Sequence, residues 1–256
     1  MRIDQLLVQR QLACTRSQAQ RLIAGGVQWH CGGPWRVVTK NGDDVPTEAC
    51  IQLQDTAEAR YVSRGGLKLA GALQHTGLSV QGFVCLDVGQ STGGFTDCLL
   101  QSGAARVVGV DVGRAQLHPR LRSDPRVVCI ENCNARTLIA TDLIAADARS
   151  TGTDGLFDLI VCDLSFISQT HVLPALVSLL ERSGVLLSLV KPQFELQPGQ
   201  VGKRGIVRDP SLYGQVEKRL RSACAGLGLQ VTHWFESPIT GGDGNHEFFM
   251  VARFGF

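Results

Sequence analysis

FVCLDVGQSTGGF, residues 83–95, is a short apolar run that ends in an acid and opens into a glycine-rich turn. Bounded by Gly82 and Gly89, the run reads as a buried strand. Gly89, Gly93 and Gly94 let backbone approach a ligand closely, and a helix starts beside them at Phe95. The pattern then repeats: RVVGVD (106–111), RVVCIE (126–131), FDLIVCD (157–163) and GVLLSLVK (184–191) are all strand-like, with helical stretches between them. Helices are expected from Phe95, after Asp111, through about Ile144, over Thr170–Leu180 and near Leu212–Leu227. Only ESPITGGDGN separates LQVTHWF (229–235) from HEFFMVARF (246–254), so these two pair as a hairpin and one runs antiparallel. The expectation is an α/β fold, Rossmann-like, with a seven-stranded, mostly parallel sheet and right-handed crossovers.

The first residues follow a different pattern. Ile3, Leu6, Leu7 and Leu12 form one apolar stripe. Thr15 with Gln18 fits a capping box, Ala19, Leu22 and Ile23 give an inner face, and Gly25-Gly26 end the second helix. Short strands are expected at Val27–Trp29, Arg36–Thr39 and Cys50–Leu53, with Trp29 and Trp35 expected to fill a small core and stacking on bases as the alternative. Residues 1–58 therefore read as a small α+β module and 59–256 as the main domain, with a linker at about 56–63 inside the polar stretch QDTAEARYVSRGG. Residues 1–68 carry nine Lys and Arg against six Asp and Glu, and residues 1–26 carry four arginines against Asp4 alone. With Arg10, Arg16 and Arg21 directed outward around the helix pair, that excess suits an anionic partner; a solvated helix face is the alternative.

Several classes are disfavoured. The apolar runs are strand-sized and broken by charge or glycine, too short to span a bilayer. MRIDQLLVQR lacks the apolar segment of a signal peptide, so a cytoplasmic protein is expected. Nine cysteines, an odd number with no C-x-x-C pair, read as reduced thiols, and no metal is called for.

Ligands of open α/β sheets bind outside the carboxyl ends of the strands. The first strand ends in Asp87 with Gly89, Gly93 and Gly94 after it, and the second ends in Asp111, suited to accept hydrogen bonds from ribose hydroxyls. Together they point to a nucleoside-containing cofactor. Gly89 and Gly93 do not fit G-x-G-x-x-G, which disfavours a nicotinamide-dependent oxidoreductase. An acid in front of the loop repels a pyrophosphate and suits the cationic methionine end of S-adenosylmethionine; a structural strand cap is the other reading of Asp87. Asp163 ends the fourth strand, Lys191 the fifth, and Glu247 begins the last. Each ionisable group costs desolvation unless paired, so three at neighbouring strand ends favour a site.

The segments VSRGGLKL, DVGQSTGGFTDCLL, VDVGRAQL, DPRVV, NAR, CDLSFIS, VKPQFE, VRDP and GNHEFF together resemble the TlyA family, the hemolysin-named rRNA 2′-O-methyltransferases, over nearly the whole chain in the expected order. RIDQLLVQRQLACTRSQAQRLIAGGV resembles the alpha-L RNA-binding motif of a small-subunit ribosomal protein and some pseudouridine synthases. The resemblance implies a class I methyltransferase domain of the FtsJ type with a Lys-Asp-Lys-Glu tetrad at Lys68, Asp163, Lys191 and Glu247. It implies S-adenosylmethionine held by Asp87, Gly89, Ser91, Gly93, Gly94 and Phe95 at the methionine end, Asp111 and Val112 at the ribose, and Asn134 near the adenine. It implies ribosomal RNA or ribosomal subunits as partner, contacted by Arg2, Arg10, Arg16, Arg21 and Arg64, with no membrane and no metal. Three departures stand out. Gln90 replaces a usual alanine, Gly113-Arg114 a glycine–tyrosine pair, and ENCNAR the usual ERTNAR, the latter two on the adenine side.

A ribose 2′-hydroxyl is a poor nucleophile until its proton is engaged. Lys191, desolvated and near cationic Lys68 and the sulfonium, is expected to have a lowered pKa and to act as general base, with Asp163 and Glu247 orienting the lysines. The activity that the resemblance implies is 2′-O-methylation of a cytidine in ribosomal RNA. The short ends resemble the family's shorter subtype, which points to the large subunit. Two alternatives stand beside it: an RNA-binding assembly factor with little catalysis, and a membrane-acting hemolysin, for which the chain shows no spanning or strongly amphipathic helix.

Overall fold

A computed structural model describes residues 1–54, 60–146, 156–242 and 244–255. Residues 56–59 of the stretch read as a linker lie outside the described residues. The chain forms two compact units, Met1–Leu67 and Lys68–Phe256.

In the first unit, α1 (Ile3–Gln9) and α2 (Arg16–Ala24) precede β1 (Val27–His30), β2 (Arg36–Val37) and β3 (Cys50–Leu53). Thr15 caps α2 by accepting from Gln18 N at 3.2 Å. The Gln18 side chain accepts from Cys14 N at 2.6 Å. Ile3, Leu6, Leu7, Ala19, Leu22 and Ile23 bury the helices' shared face against Val27, Val38 and Val45. The sheet is antiparallel with β1 in the centre, order β2-β1-β3. Trp29 packs against this core, whereas Trp35, expected there too, is 46 % exposed. Strand alternation explains the difference, because Trp35 shares its face with Val37, opposite the face of Trp29. Tyr61 and Val62, in the stretch read as a linker, are buried.

The second unit is built on a seven-stranded sheet. After α3 (Gly65–Thr76) come β4 (Val84–Val88), α4 (Gly94–Gln101), β5 (Arg106–Val110), α5 (Pro119–Arg122), β6 (Val127–Ile130), α6 (Ala140–Ala146), β7 (Phe157–Cys162), α7 (Leu173–Val177), β8 (Leu180–Val190), α8 (Pro192–Glu195), α9 (Ser211–Gly226), β9 (Leu229–Glu236) and β10 (Phe248–Phe254). The strand order is β6-β5-β4-β7-β8-β10-β9, with β10 antiparallel to both neighbours and the β4–β8 pairings parallel. The apolar runs of β4, β7 and β8 are buried on both faces, as a covered parallel sheet requires.

Two elements differ from the sequence reading. The helix expected over Thr170–Leu180 is a 3₁₀ turn, Gln169–His171, followed by the five-residue α7. β8 starts at Leu180 rather than Gly184, because Leu180 pairs with Phe157 and a register shift between Phe157 and Leu159 absorbs the exposed Arg182 and Ser183. Strand order reverses between β4 and β7, whose neighbours lie on opposite sides, so a crevice opens at their carboxyl ends.

Candidate active site

The crevice begins with Asp87, wholly buried at the end of β4. Its Oδ2 accepts from Thr96 N at 3.0 Å and Thr96 Oγ1 at 2.6 Å, while Oδ1 has no hydrogen-bond partner among the described residues. Burial pushes this carboxyl up to about 7; nearby Asp163 and Asp111 add to the rise and the Thr96 bonds oppose it. Gln90 extends this network by donating from Nε2 to Thr96 Oγ1 at 2.9 Å. It is itself buried against Gly109, where a Cβ would come within 1.9 Å of the Gln90 amide. The departure at residue 90 thus buttresses the Asp87 shell from inside.

Gly89 has φ +87°, and a Cβ there would sit 2.5 Å from the Asp163 carbonyl oxygen. That close approach joins the glycine loop to the end of β7. Gly93, at φ +91°, caps α4 under the side chains of Leu117 and Leu121, and Gly94 is the first residue of that helix. Ser91 N donates to Asp111 Oδ2 at 2.7 Å, and Gly113 N donates to Oδ1 at 2.6 Å. The Asp111 carboxylate is thereby fixed across both turns. Val112, beside it, is 70 % exposed, an open apolar surface. Asn134 caps the 3₁₀ turn at Ala135–Thr137 by accepting from Arg136 N. Phe95 is buried and stacks near Phe249, so it supports the loop from behind and does not line its open side.

The ionisable residues at the strand ends form two ion pairs. Lys191 Nζ lies 2.6 Å from Asp163 Oδ1 and donates to Ser165 Oγ at 3.0 Å. Lys68, on α3, lies 2.5 Å from Glu247 Oε2, and both are buried. The register Phe248↔Val190 sets Glu247 and Lys191, each one residue beyond that pair, side by side at the same edge. Gly241 packs against Glu247, where a Cβ would come 2.7 Å from Oε1.

Several members of this region were not singled out from the sequence, although the segments CDLSFIS, VKPQFE and GNHEFF contain them. Ser165 is one, since a serine two residues after a strand-end acid looks like an ordinary turn. Phe166 is another: it has φ +64°, is 91 % exposed and packs on Phe194 at a ring separation of 5.0 Å. A bulky side chain held left-handed and open to solvent marks strain kept at a site. Glu195, buried, accepts from Ser168 Oγ and Gln169 N, both at 2.6 Å, clamping the loop after β7 to the segment after Lys191. Asn245, also buried, accepts from Val207 N at 3.0 Å and donates to Gly205 O at 2.9 Å.

In the amino-terminal unit, Asp4 is buried and receives Arg2 Nη2 at 3.0 Å and Arg16 Nη2 at 2.9 Å. The Arg2 hydrogen bond, with Arg16 assisting, holds the Asp4 carboxyl down to about 2 against its burial. The two guanidinium groups are thus brought together and remain partly open to solvent. Arg10 donates to the carbonyls of Thr47 and Ala49, which makes it a brace for that loop. Arg21 lies in the last turn of α2 and Arg64 just before α3, both half-buried.

No described helix is long and apolar enough to cross a membrane. The family model of the FtsJ-like methyltransferases matches residues 61–254. The chain is 42% identical over 252 residues to the 16S/23S rRNA (cytidine-2′-O)-methyltransferase TlyA of Mycobacterium tuberculosis, covering 98% of this chain and 89% of that protein. It is 37% identical to Hemolysin A of Brachyspira hyodysenteriae, covering 97% and 98% of the two. A solved, hemolysin-named structure from Streptococcus thermophilus superposes with a TM-score of 0.74 at 39% identity, covering 99% of this chain and 88% of that one. With the strand order and the strand-end crevice described above, these matches show that the chain belongs to the FtsJ-like methyltransferase family, in the group that includes TlyA.

Proposed function

We propose that this protein transfers a methyl group from S-adenosylmethionine to the 2′-hydroxyl of a cytidine in ribosomal RNA. The observation that carries the reading is Lys191, held between Asp163 Oδ1 and Ser165 Oγ next to the loop at Gly89.

The residues present fit the cofactor. A buried carboxylate with one oxygen free of hydrogen bonds suits a cation, and S-adenosylmethionine carries an ammonium and a sulfonium. In this reading Asp87, Gly89, Ser91, Gly93 and Gly94 hold the methionine end, with Phe95 behind them. Asp111 and Val112 meet the ribose, and Asn134 stands on the adenine side. Bound there, the cofactor supplies an electrophilic methyl group.

Lys191 takes the proton from the 2′-hydroxyl as the oxygen–carbon bond forms and the carbon–sulfur bond breaks. The Asp163 ion pair and the Ser165 hydrogen bond hold Nζ in place for this role. Lys68 and Glu247 form the neighbouring buried pair, which orders the far wall and keeps charge near the reacting oxygen balanced. Positioning supplies much of the rate, since the transfer is an in-line displacement. Phe166, exposed and rigidly backed by Phe194, is suited to stack on the base of the target nucleotide.

Residues 1–58 serve as the RNA-binding module and 59–256 as the catalytic domain, with Arg2, Arg16, Arg21 and Arg64 directed to phosphates and Arg10 bracing the fold that presents them. The protein acts on ribosomal RNA or ribosomal subunits in the cytoplasm. Large-subunit RNA is the finer expectation, to be tested beside small-subunit RNA. The test is tritiated methyl transfer from S-adenosylmethionine to 50S and 30S subunits lacking the modification, wild type beside Lys191→Ala. Label at one nucleotide that resists alkaline cleavage and disappears in the variant supports the reading. Binding of cofactor and RNA without any label overturns it in favour of an assembly factor.

A further inference from the structure

The outward face of the small sheet is unusual in what it exposes. Val27, Trp29, Ile51 and Leu53 turn toward the core, so alternation turns Gln28, His30, Trp35, Val37, Cys50 and Gln52 away from it. On that face Trp35 is 46 % and Val37 61 % exposed. His30 meets Trp35 in a T-shaped contact with ring centroids 4.3 Å apart, which holds the indole in place. On the opposite face, Arg36 lies over the Trp29 ring at 5.3 Å. The connecting turn ends in open space, because a Cβ at Gly32 or Gly33 would meet nothing within 4 Å.

A hydrophobic core does not need this arrangement, since Trp35 stands outside the cluster that Trp29 joins. Two apolar side chains ringed by His30 and glutamines are also far too small for a stable protein interface, which takes about 800 Å² on each partner. Residues 1–40 carry six Lys and Arg against Asp4 alone, so the surroundings attract a polyanion. A fixed aromatic ring on an open sheet face of a basic segment is the arrangement on which nucleobases stack.

We infer that the outward face of this sheet, Trp35 with His30 and Val37, is a stacking platform for an unpaired base of the RNA substrate. The inference rests on the reading of the amino-terminal unit as an RNA-binding module. It adds to that reading a contact with a base at a site other than the methylated nucleotide. The arginine pair on Asp4 grips phosphates and the platform grips a base, so the two contribute differently to salt dependence.

The experiment measures binding of the full-length protein to unmodified, in vitro transcribed 23S rRNA across a range of salt concentrations. Wild type is compared with Trp35→Ala, Trp35→Phe and Arg16→Ala, and each variant is sized by gel filtration. Trp35→Ala is expected to weaken binding by roughly five- to hundredfold at every salt concentration, leaving the slope of log affinity against log salt unchanged. Trp35→Phe retains most of the affinity, and Arg16→Ala lowers the slope by about one. Intrinsic fluorescence is quenched by RNA in the wild type and much less in Trp35→Ala. If Trp35→Ala binds like the wild type, the platform is overturned while the RNA-binding reading stands. If the wild type itself fails to bind, both fall together. A Trp35→Ala variant with normal RNA affinity but smaller hydrodynamic size makes the face a contact between copies of the chain and also overturns the proposal.

Discussion

Replacing Asp87 by asparagine should stabilise the ligand-free protein and abolish its pH-sensitive affinity for a cationic cofactor. The carboxyl ionises near 3.8 in the unfolded chain but holds its proton to about 7 in the folded one. Between those values folding takes up a proton, so the stability owed to this group falls as pH rises through the window, and the loss is complete above it. A difference of roughly three pKa units corresponds to about 4 kcal/mol, which the folded wild type gives up at pH 8.5. At pH 5.5 about 2 kcal/mol of that loss has already occurred, so the stability difference between Asp87→Asn and wild type grows by about 2 kcal/mol from pH 5.5 to 8.5. Asparagine still offers an oxygen to Thr96, so the change in hydrogen bonding contributes a constant and cancels from the pH dependence. Urea unfolding of both proteins at the two pH values measures the difference directly. A cation binds the ionised form, so S-adenosylmethionine affinity of the wild type should weaken about tenfold per unit as pH falls below about 7, and the variant's weaker affinity should not vary. A pH-independent stability difference, or one that shrinks as pH rises, would refute the account of Asp87 as a desolvated acid awaiting a cation.

Lys68→Met leaves Glu247 buried without its partner and should cost about 3–5 kcal/mol in unfolding free energy, while the Lys68→Met/Glu247→Met double variant recovers much of it; a double variant less stable than either single one contradicts the pairing. Ser165→Ala should lower kcat about tenfold, the equivalent of one hydrogen bond, with KM unchanged and activity restored in Ser165→Thr. Equal losses in both variants would assign Ser165 a packing role. Asn245→Ala removes two buried hydrogen bonds to Val207 and Gly205, so hydrogen exchange should speed up across 202–207 and stability fall by about 2 kcal/mol, with cofactor affinity intact. Unchanged exchange in that loop would show that Asn245 does not anchor it.

The parallel core was legible in the chain because each of its signals is local. Short apolar runs stopped by an acid or a glycine mark strand ends, and an α/β sheet collects those ends at one edge, so Asp87, Asp111, Asp163 and Lys191 stood out before any coordinates. Gly89 illustrates both the reach and the limit of such reading. Its place in a turn is evident from the sequence, but the reason no side chain fits there is the Asp163 carbonyl oxygen, 2.5 Å from where a Cβ would sit and just past a strand more than seventy residues further along. The short helices were less legible. The segment 169–180 has helical spacing, yet Leu179 and Leu180 are drawn into the sheet against Phe157, and tertiary pairing outweighs local propensity.

Residue types and their order along the chain determined the sheet, the glycine loop and the basic bias of the first helices. Which charges meet was decided by the tertiary structure. Lys68 reaches Glu247 across 179 residues, Asp4 selects Arg2 and Arg16 while Arg10 is spent on carbonyls, and Trp35 is turned outward by strand alternation. A charge buried in a medium of low dielectric must find its partner wherever the fold has brought one, and separation along the chain carries no trace of that requirement.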